Sequence, residues 1–325
     1  MIFLTALIRR LAWSILLIFA VLVLNFLLIH MAPGDPADVI AGEMGGATQE
    51  MLDDIRKSYG LDQPLHVQLW VYLSRAAQGD LGNSFFYNST VLDLILSRIG
   101  PTLLLVITSL MFALVIGTSL GVIAARKPNG YLSYFVTIVS IVGYAAPIFW
   151  TGLMLVILFA SVIPLFPISG MYDIRTEGGM FARGLDVAHH LVLPAFTLGI
   201  VYLAQYSRLT RASMLEILGS DYIRTARAKG VSEFKIYSKH ALRNAILPIV
   251  TIAGLQFGSV ISGAVLVETV FSWPGLGTLA FESILARDYP TILGILFFSA
   301  VLVIVANIIT DMTYRIVDPR VGAPK

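Results

Sequence analysis

Six stretches of this chain stay apolar over the length of a bilayer crossing: Leu11 to Met31, Pro101 to Ala125, Leu132 to Ala160, Leu191 to Ser207, Ile246 to Phe271 and Thr291 to Thr313. A hydrocarbon core ~30 Å thick is crossed by about 20 helical residues, and inside it every backbone N–H and C=O needs a partner within the protein. Only helices and closed barrels meet that demand. These runs are continuously apolar and lack the period-two alternation of barrel strands, so the sequence predicts an all-α, polytopic membrane protein with six transmembrane helices. Composition agrees: 57% of the 325 residues are hydrophobic and 13% are charged, against about 25% charged in soluble domains. Mean hydropathy is +0.82. Arg9 and Arg10 before the first run look like the start of a secretory signal. The run is nevertheless of spanning length and no small-residue cleavage site follows closely, which predicts a retained anchor.

The placement of Lys and Arg sets an expected orientation. With the N-terminus inside the cell, the inner segments hold 15 of the 22 basic residues: Arg9, Arg10, Arg126, Lys127, eight from Arg208 to Arg243, then Arg315, Arg320 and Lys325. The other seven are spread over outer segments that are together longer, which is the positive-inside bias. Both termini are therefore expected to be cytoplasmic. The expected organisation is an N-terminal arm and first helix (1–31), a small external subdomain (32–99), and a core with five transmembrane helices (100–325) that includes a basic cytoplasmic loop (208–245). In the external subdomain the pattern predicts a turn at Pro33 to Pro36 and helices from Gln49 to Tyr59 and from Pro64 to Ala77.

Several function classes lack their residues. A net charge of +2 implies no polyelectrolyte partner, so no nucleic acid is expected. Without cysteine there is no disulfide, thiolate metal site or Cys nucleophile. No phosphate-cradling G-x-x-x-x-G-K-[ST] loop and no H-E-x-x-H pair is present, so no catalytic residue, metal site or cofactor is assigned to this chain. His189 and His190 are adjacent, point about 100° apart on a helix and have no i+4 partner, so interfacial histidines are the expected reading.

Within the basic loop, Ser220 stands where a helix cap is wanted, Asp221 suits the first turn, and Lys229 and Gly230 suit the last turn and a left-handed end. Ser232 and Glu233 then reopen a second helix. A helix, a tight turn and another helix on the inner surface can be gripped by a partner; a merely basic loop that obeys topology is the alternative. The run Asp221-Tyr222-Ile223-Arg224-Thr225-Ala226-Arg227-Ala228-Lys229-Gly230 resembles the coupling-loop motif of binding-protein-dependent ABC importer permeases, in the version of the dipeptide, oligopeptide and nickel branch. The general motif begins Glu-Ala-Ala with a Gly four residues after the second Ala; here Arg224, Thr225 and Ala226 precede Gly230, as in that branch. Pro33-Gly34-Asp35-Pro36, Gly79-Asp80-Leu81-Gly82, Glu268 to Gly277, Arg287-Asp288-Tyr289-Pro290 and Asp318-Pro319-Arg320 resemble the same branch in order, over nearly the whole chain. The short arm and long first outer segment resemble the B-type member of the permease pair.

That resemblance implies a set of partners and a place. A homologous C-type permease would complete the translocation pathway, two ATPase subunits, separate or fused, would bind ATP and Mg, and an external solute-binding protein would deliver a dipeptide or oligopeptide. The place would be the bacterial cytoplasmic (inner) membrane. Nickel or glutathione import by the same architecture is the alternative solute, and an ion-gradient-driven secondary transporter the alternative class. Ser220 to Gly230 would seat in an ATPase groove. In the spans, Tyr144, Gln205, Gln256 and Ser259 are candidates to line the pathway, with Pro147 expected to kink the third span. Glu268, Asn307 and Asp311 are costly in lipid and read first as structural. The resemblance adds Glu268, Trp273 and Pro274 as an external gate or binding-protein contact, against an interfacial anchor for Trp273.

Overall fold

A computed structural model describes residues 2–31, 48–49, 52–53, 56–57, 62–84, 86–175 and 178–317. Its elements are α1 (Ile2–Met31), α2 (Leu65–Ala77), a two-stranded hairpin β1 (Asn83–Ser84) and β2 (Ser89–Thr90), and then α3 (Val91–Arg126), α4 (Tyr131–Ala145), α5 (Ile148–Val156), α6 (Gly179–Leu218), α7 (Asp221–Ala228), α8 (Leu242–Phe271), α9 (Leu276–Ala286) and α10 (Tyr289–Val317). The α2 helix begins one residue after Pro64, whose ring cannot supply an N–H and suits the start of a helix. Of the expected helix from Gln49 to Tyr59, residues 49, 52–53 and 56–57 are described and are helical, while the turn at Pro33 to Pro36 lies outside the described residues.

Among the described residues three helices are long and apolar enough to cross a membrane, or up to five if each of two bent pairs is one span; Ala12–Leu28 is a shorter apolar stretch. Two expected spans are corrected in shape. Leu132 to Ala160 is not one helix, because it breaks between Ala145 and Ile148 with a bend of 106°. Pro147 cannot donate and pushes Ala146 into extended backbone at ψ 133°. The segment Glu233–Gln256 is likewise bent by 64° from Val260–Phe271.

Burial is arranged for lipid. On α4 the buried residues are Ser133, Val136, Ser140 and Gly143, while Phe135 and Ile138 are 64% and 60% exposed. Large apolar groups outside and small or polar ones inside are the reverse of a soluble core, and small residues let membrane helices approach.

Contacts group the chain into two units, Met1–Gly100 with Thr278–Val305, and Pro101–Gly277 with Ala306–Lys325. In the first, Asn25 donates to the Leu293 carbonyl at 3.2 Å and His30 meets Gln68 at 2.9 Å. Buried Asp288 accepts from the Ser84 and Thr291 hydroxyls, both at 2.6 Å, which ties the hairpin to the start of α10. Gly79 and Gly82 take φ of +81° and +88°, and Asp80 accepts the Gly82 N–H at 3.0 Å, so the Gly-Asp-Leu-Gly string is a turn built on glycine. Beside it, burial and a hydrogen bond to the Glu282 carboxylate at 2.9 Å push the Tyr87 hydroxyl up to about 12.

In the second unit α6 packs against α4, α5 and α8. It meets α3 at backbone distance: a Cβ at Gly117 would lie 2.8 Å from the Leu203 carbonyl, and one at Gly121 would lie 2.6 Å from that of Ser207. Gly117 and Gly121 are one turn apart and form the small-residue face that permits such an approach.

Candidate functional site

The basic loop folds as a compact helical corner. In α7, Ile223 is fully buried, in a cluster with Met214, Ile236, Ala241 and Ala245, and that single anchor fixes which face is left outside. Asp221, Tyr222, Arg224, Thr225, Arg227 and Ala228 are exposed, as are Lys229 and Gly230 after the helix, while Ala226 is half-buried. The end is a Schellman cap: the Gly230 N–H donates to the Arg227 carbonyl at 2.9 Å, the Val231 N–H donates to that of Ala226 at 3.2 Å, and Gly230 takes φ +75°. The start differs from expectation. Ser220 occupies the cap position, but its hydroxyl turns back to the Ile217 carbonyl at 2.6 Å and makes no cap bond. The second helix is a single turn, Glu233–Lys235, that widens into a π-helical stretch, Ile236–Ala241, leading into α8.

The charged groups of the corner are unequal. Arg227 donates to both carboxylate oxygens of Glu233, at 2.8 and 3.4 Å. That hydrogen-bonded pair raises the Arg227 guanidinium further and holds the Glu233 carboxyl below its usual range. Among the described residues Arg224 reaches only Asp221, at 3.4 Å, with its side chain 74% exposed. Tyr222 tethers the corner to α8, accepting from Asn244 at 2.9 Å and donating to the His240 carbonyl at 3.3 Å.

Two of the four expected pathway residues come together. The Tyr206 hydroxyl donates to the Gln256 amide oxygen at 2.8 Å, and the Gln256 amide N–H donates to the Gln205 oxygen at 2.7 Å, which joins α6 to α8. Tyr144 stands apart from them, 56% exposed, with the Arg208 guanidinium 5.0 Å from its ring centre. The Ser259 and Asp311 side chains lie outside the described ones, and Asn307 is exposed. The sequence reading missed Tyr206 and Arg208. Tyr206 carried no signal among other aromatics, whereas Arg208 had been counted as one more inner charge although it borders an apolar run.

Glu268 and Trp273 are both fully buried, so neither presents surface to a partner, and Trp273 is not an interfacial anchor. Glu268 accepts from the Thr102 hydroxyl and from the Gly277 N–H, each at 2.7 Å, and Thr102 in turn accepts the Leu276 N–H at 2.8 Å. The Trp273 indole donates to the Pro101 carbonyl at 2.9 Å. A Cβ on Gly275 would collide with the Glu268 carboxylate. The Pro-Gly-Leu-Gly string is thus the cradle of a buried carboxylate, with Pro274 half-buried at its rim. Among the described residues no group of three His, Asp or Glu could hold a metal ion. His189 and His190 bond instead to the carbonyls of Leu165 and Asp186, at 2.8 and 2.9 Å.

Comparison with known proteins gives these features a common frame. Residues 117–323 match the family model described as binding-protein-dependent transport system inner membrane component, and residues 3–107 match the N-terminal model of the same systems. The oligopeptide transport system permease protein AppB of Bacillus subtilis is 42% identical over 97% of this chain and 98% of its own. The di/tripeptide transport system permease protein DppB of Pseudomonas aeruginosa is 40% identical over 96% of this chain and 97% of its own. The glutathione transport system permease protein GsiC of Escherichia coli O6:H1 is 42% identical over 97% of each. Among solved structures, a chain of the inward-facing MetNI methionine ABC transporter superposes with a TM-score of 0.55 at 18% identity, covering 69% of this chain and 96% of that one, which shows a shared fold.

Proposed function

Because the chain belongs to the family of binding-protein-dependent transport system inner membrane components, in the peptide branch of ABC importer permeases, we propose that it forms the B-type half of a pathway importing dipeptides or oligopeptides. The observation that carries the solute is the full-length similarity to permeases named for oligopeptides and di/tripeptides. Six spans, with both termini cytoplasmic, would place the corner 220–241 inside the bacterial inner membrane's cytoplasmic face. ATP and Mg would be bound by partner ATPases, with no catalysis by this chain; a homologous C-type subunit would complete the pathway and an external binding protein would deliver the solute. The rigid α7 corner, capped at Gly230 and anchored by Ile223, suits the transmission of ATPase closure as a rigid-body movement. Glutathione is a second reading, favoured by the relative named for it; it is itself a tripeptide.

The test is reconstitution with the three kinds of partner and measurement of ATP hydrolysis against peptide concentration. Stimulation by di- to oligopeptides is expected. Stimulation by glutathione alone would reassign the solute, and uptake by the isolated chain on an ion gradient would sink the ABC mechanism.

A further inference from the structure

The break between α4 and α5 sits inside an apolar stretch of spanning length. Non-helical backbone at membrane depth is tolerated where it is covered by protein or lines water, and interrupted spans often border a solute site. Tyr144 is two residues from this break, and the charge over its ring comes from α6.

The direction in which Arg208 reaches is unusual. The helices α4 and α6 run antiparallel. At the start of α4, Arg211 donates to the Ser133 hydroxyl at 3.0 Å and to the Pro128 carbonyl at 3.1 Å; near its end, a Cβ on Gly143 would lie 3.2 Å from Ile200. Position 208 is eight residues nearer the 127–130 loop than Ile200, about 12 Å along the helix. Arg211 behaves as a long cation in a span ordinarily does and seeks the loop end. Arg208 does the opposite and climbs toward the break. Among the described residues no carboxylate pairs with it. Arg208 is exposed at the end of an apolar run of spanning length, where a cation is expensive unless it meets water or an anion, and the aromatic face supplies only part of that stabilisation.

One turn away on the same face of α6 is Gln205. The hydrogen-bond chain runs from the Tyr206 hydroxyl to Gln256 and from Gln256 to the Gln205 oxygen. Each group donates to the next, so the chain ends on the Gln205 amide N–H groups, for which no acceptor occurs among the described residues. An unpaired guanidinium and a donor-terminated amide on one helix face are both short of the same thing, a negatively charged acceptor.

We propose that Arg208, held over the Tyr144 ring and one turn from the Gln205 amide, is a binding station for the C-terminal carboxylate of a passing peptide. The station rests on the peptide-import reading. With its guanidinium carbon 5.0 Å from the ring centre, Arg208 carries the planar N–H fork that matches a carboxylate in two parallel hydrogen bonds. One such pair gives a modest hold, which suits a site that must also release.

The test uses the reconstituted complex and two probes, a tripeptide with a free C-terminus and the same tripeptide amidated. Uptake of each is expressed as variant over wild type, which cancels whatever discrimination the binding protein contributes. Charged hydrogen bonds of this kind translate to a change of about tenfold or more. Arg208→Gln is therefore expected to lower uptake of the free acid by about tenfold relative to the amide. Arg208→Lys should recover part of the loss, and Tyr144→Leu should show a smaller loss with the same selectivity. Equal loss for both probes, with poorer recovery of the complex, would show that Arg208 pairs with a partner subunit and would overturn the proposal. So would unchanged uptake of both. If the wild-type complex takes up neither probe, the peptide reading itself falls, and the carboxylate assignment with it.

Discussion

Arg227 gives its guanidinium to Glu233 six residues on, while Arg224 keeps 74% of its side chain exposed, with only a 3.4 Å contact to Asp221. The two cations therefore have different duties: Arg227 ties the turn after α7, and Arg224 faces outward. Exposed charges contribute about 0–1 kcal/mol to a chain's own stability, so Arg224→Ala is expected to insert at normal levels. At a partner interface, loss of one member of a buried charged pair costs about 2–5 kcal/mol, so the same variant should lose ATPase retention in a pull-down. For Arg227→Ala a milder defect is expected, restored by the exchange Arg227→Glu with Glu233→Arg. Normal retention in Arg224→Ala would refute this division. Gly230 is legible in both sequence and structure, since a Gly after a basic last turn predicts the φ of +75° that it adopts. A Cβ there would meet nothing within 4 Å, so the obstacle is backbone conformation alone. Left-handed backbone costs a non-Gly residue about 1–2 kcal/mol. Gly230→Val should accordingly uncouple solute stimulation from ATP hydrolysis without loss of expression; wild-type stimulation would contradict it. The Ser220 cap was the misreading at this scale, because residue type marks a cap position but not the rotamer that turns the hydroxyl to Ile217.

The helices themselves could be read from the length of their apolar runs, because lipid allows the backbone few alternatives. Their interruptions were harder. Pro147 announced a kink, yet at Pro101, Pro194 and Pro248 the helix runs on through the proline, and nothing local separates the two outcomes. The close approach of α3 and α6 was available in the Gly117-x-x-x-Gly121 spacing but is hard to see within a long apolar run. The stretch from Glu268 to Gly277 shows what the sequence could not assign. Its Glu and Trp look like surface features at a membrane boundary, and the contacts that bury them come from Pro101 and Thr102, on a helix far away in the chain. Glu268→Ala would leave the Thr102 hydroxyl and the Gly277 N–H without their acceptor, at about 1–3 kcal/mol each. The purified complex should melt at a lower temperature, while Glu268→Gln, which keeps an acceptor oxygen and the shape, should lose less. Equal melting of wild type and Glu268→Ala would show that the carboxylate is not a structural staple.

At the scale of the whole molecule the open quantity is orientation, since helices alone have no inside or outside. The argument for it is electrostatic and topogenic: short loops rich in Lys and Arg stay on the cytoplasmic side, and 15 of the 22 basic residues fall on one set of alternate segments. The densest of these carries the α7 corner, so orientation and coupling stand together; an ATPase can grip the corner only if that face is inside. Position 232, two residues after the Gly230 cap, is exposed, and position 45, outside the described residues, belongs to the long segment expected on the opposite side. The chain contains no cysteine, so a single cysteine at either site reports without background. In sealed cells a membrane-impermeant maleimide should label Gly45→Cys, and it should label Ser232→Cys only after permeabilisation, with the cap glycine at 230 left intact. Labelling of position 232 from outside sealed cells would invert the topology, remove the corner from reach of any cytoplasmic ATPase, and overturn the coupling role together with the orientation.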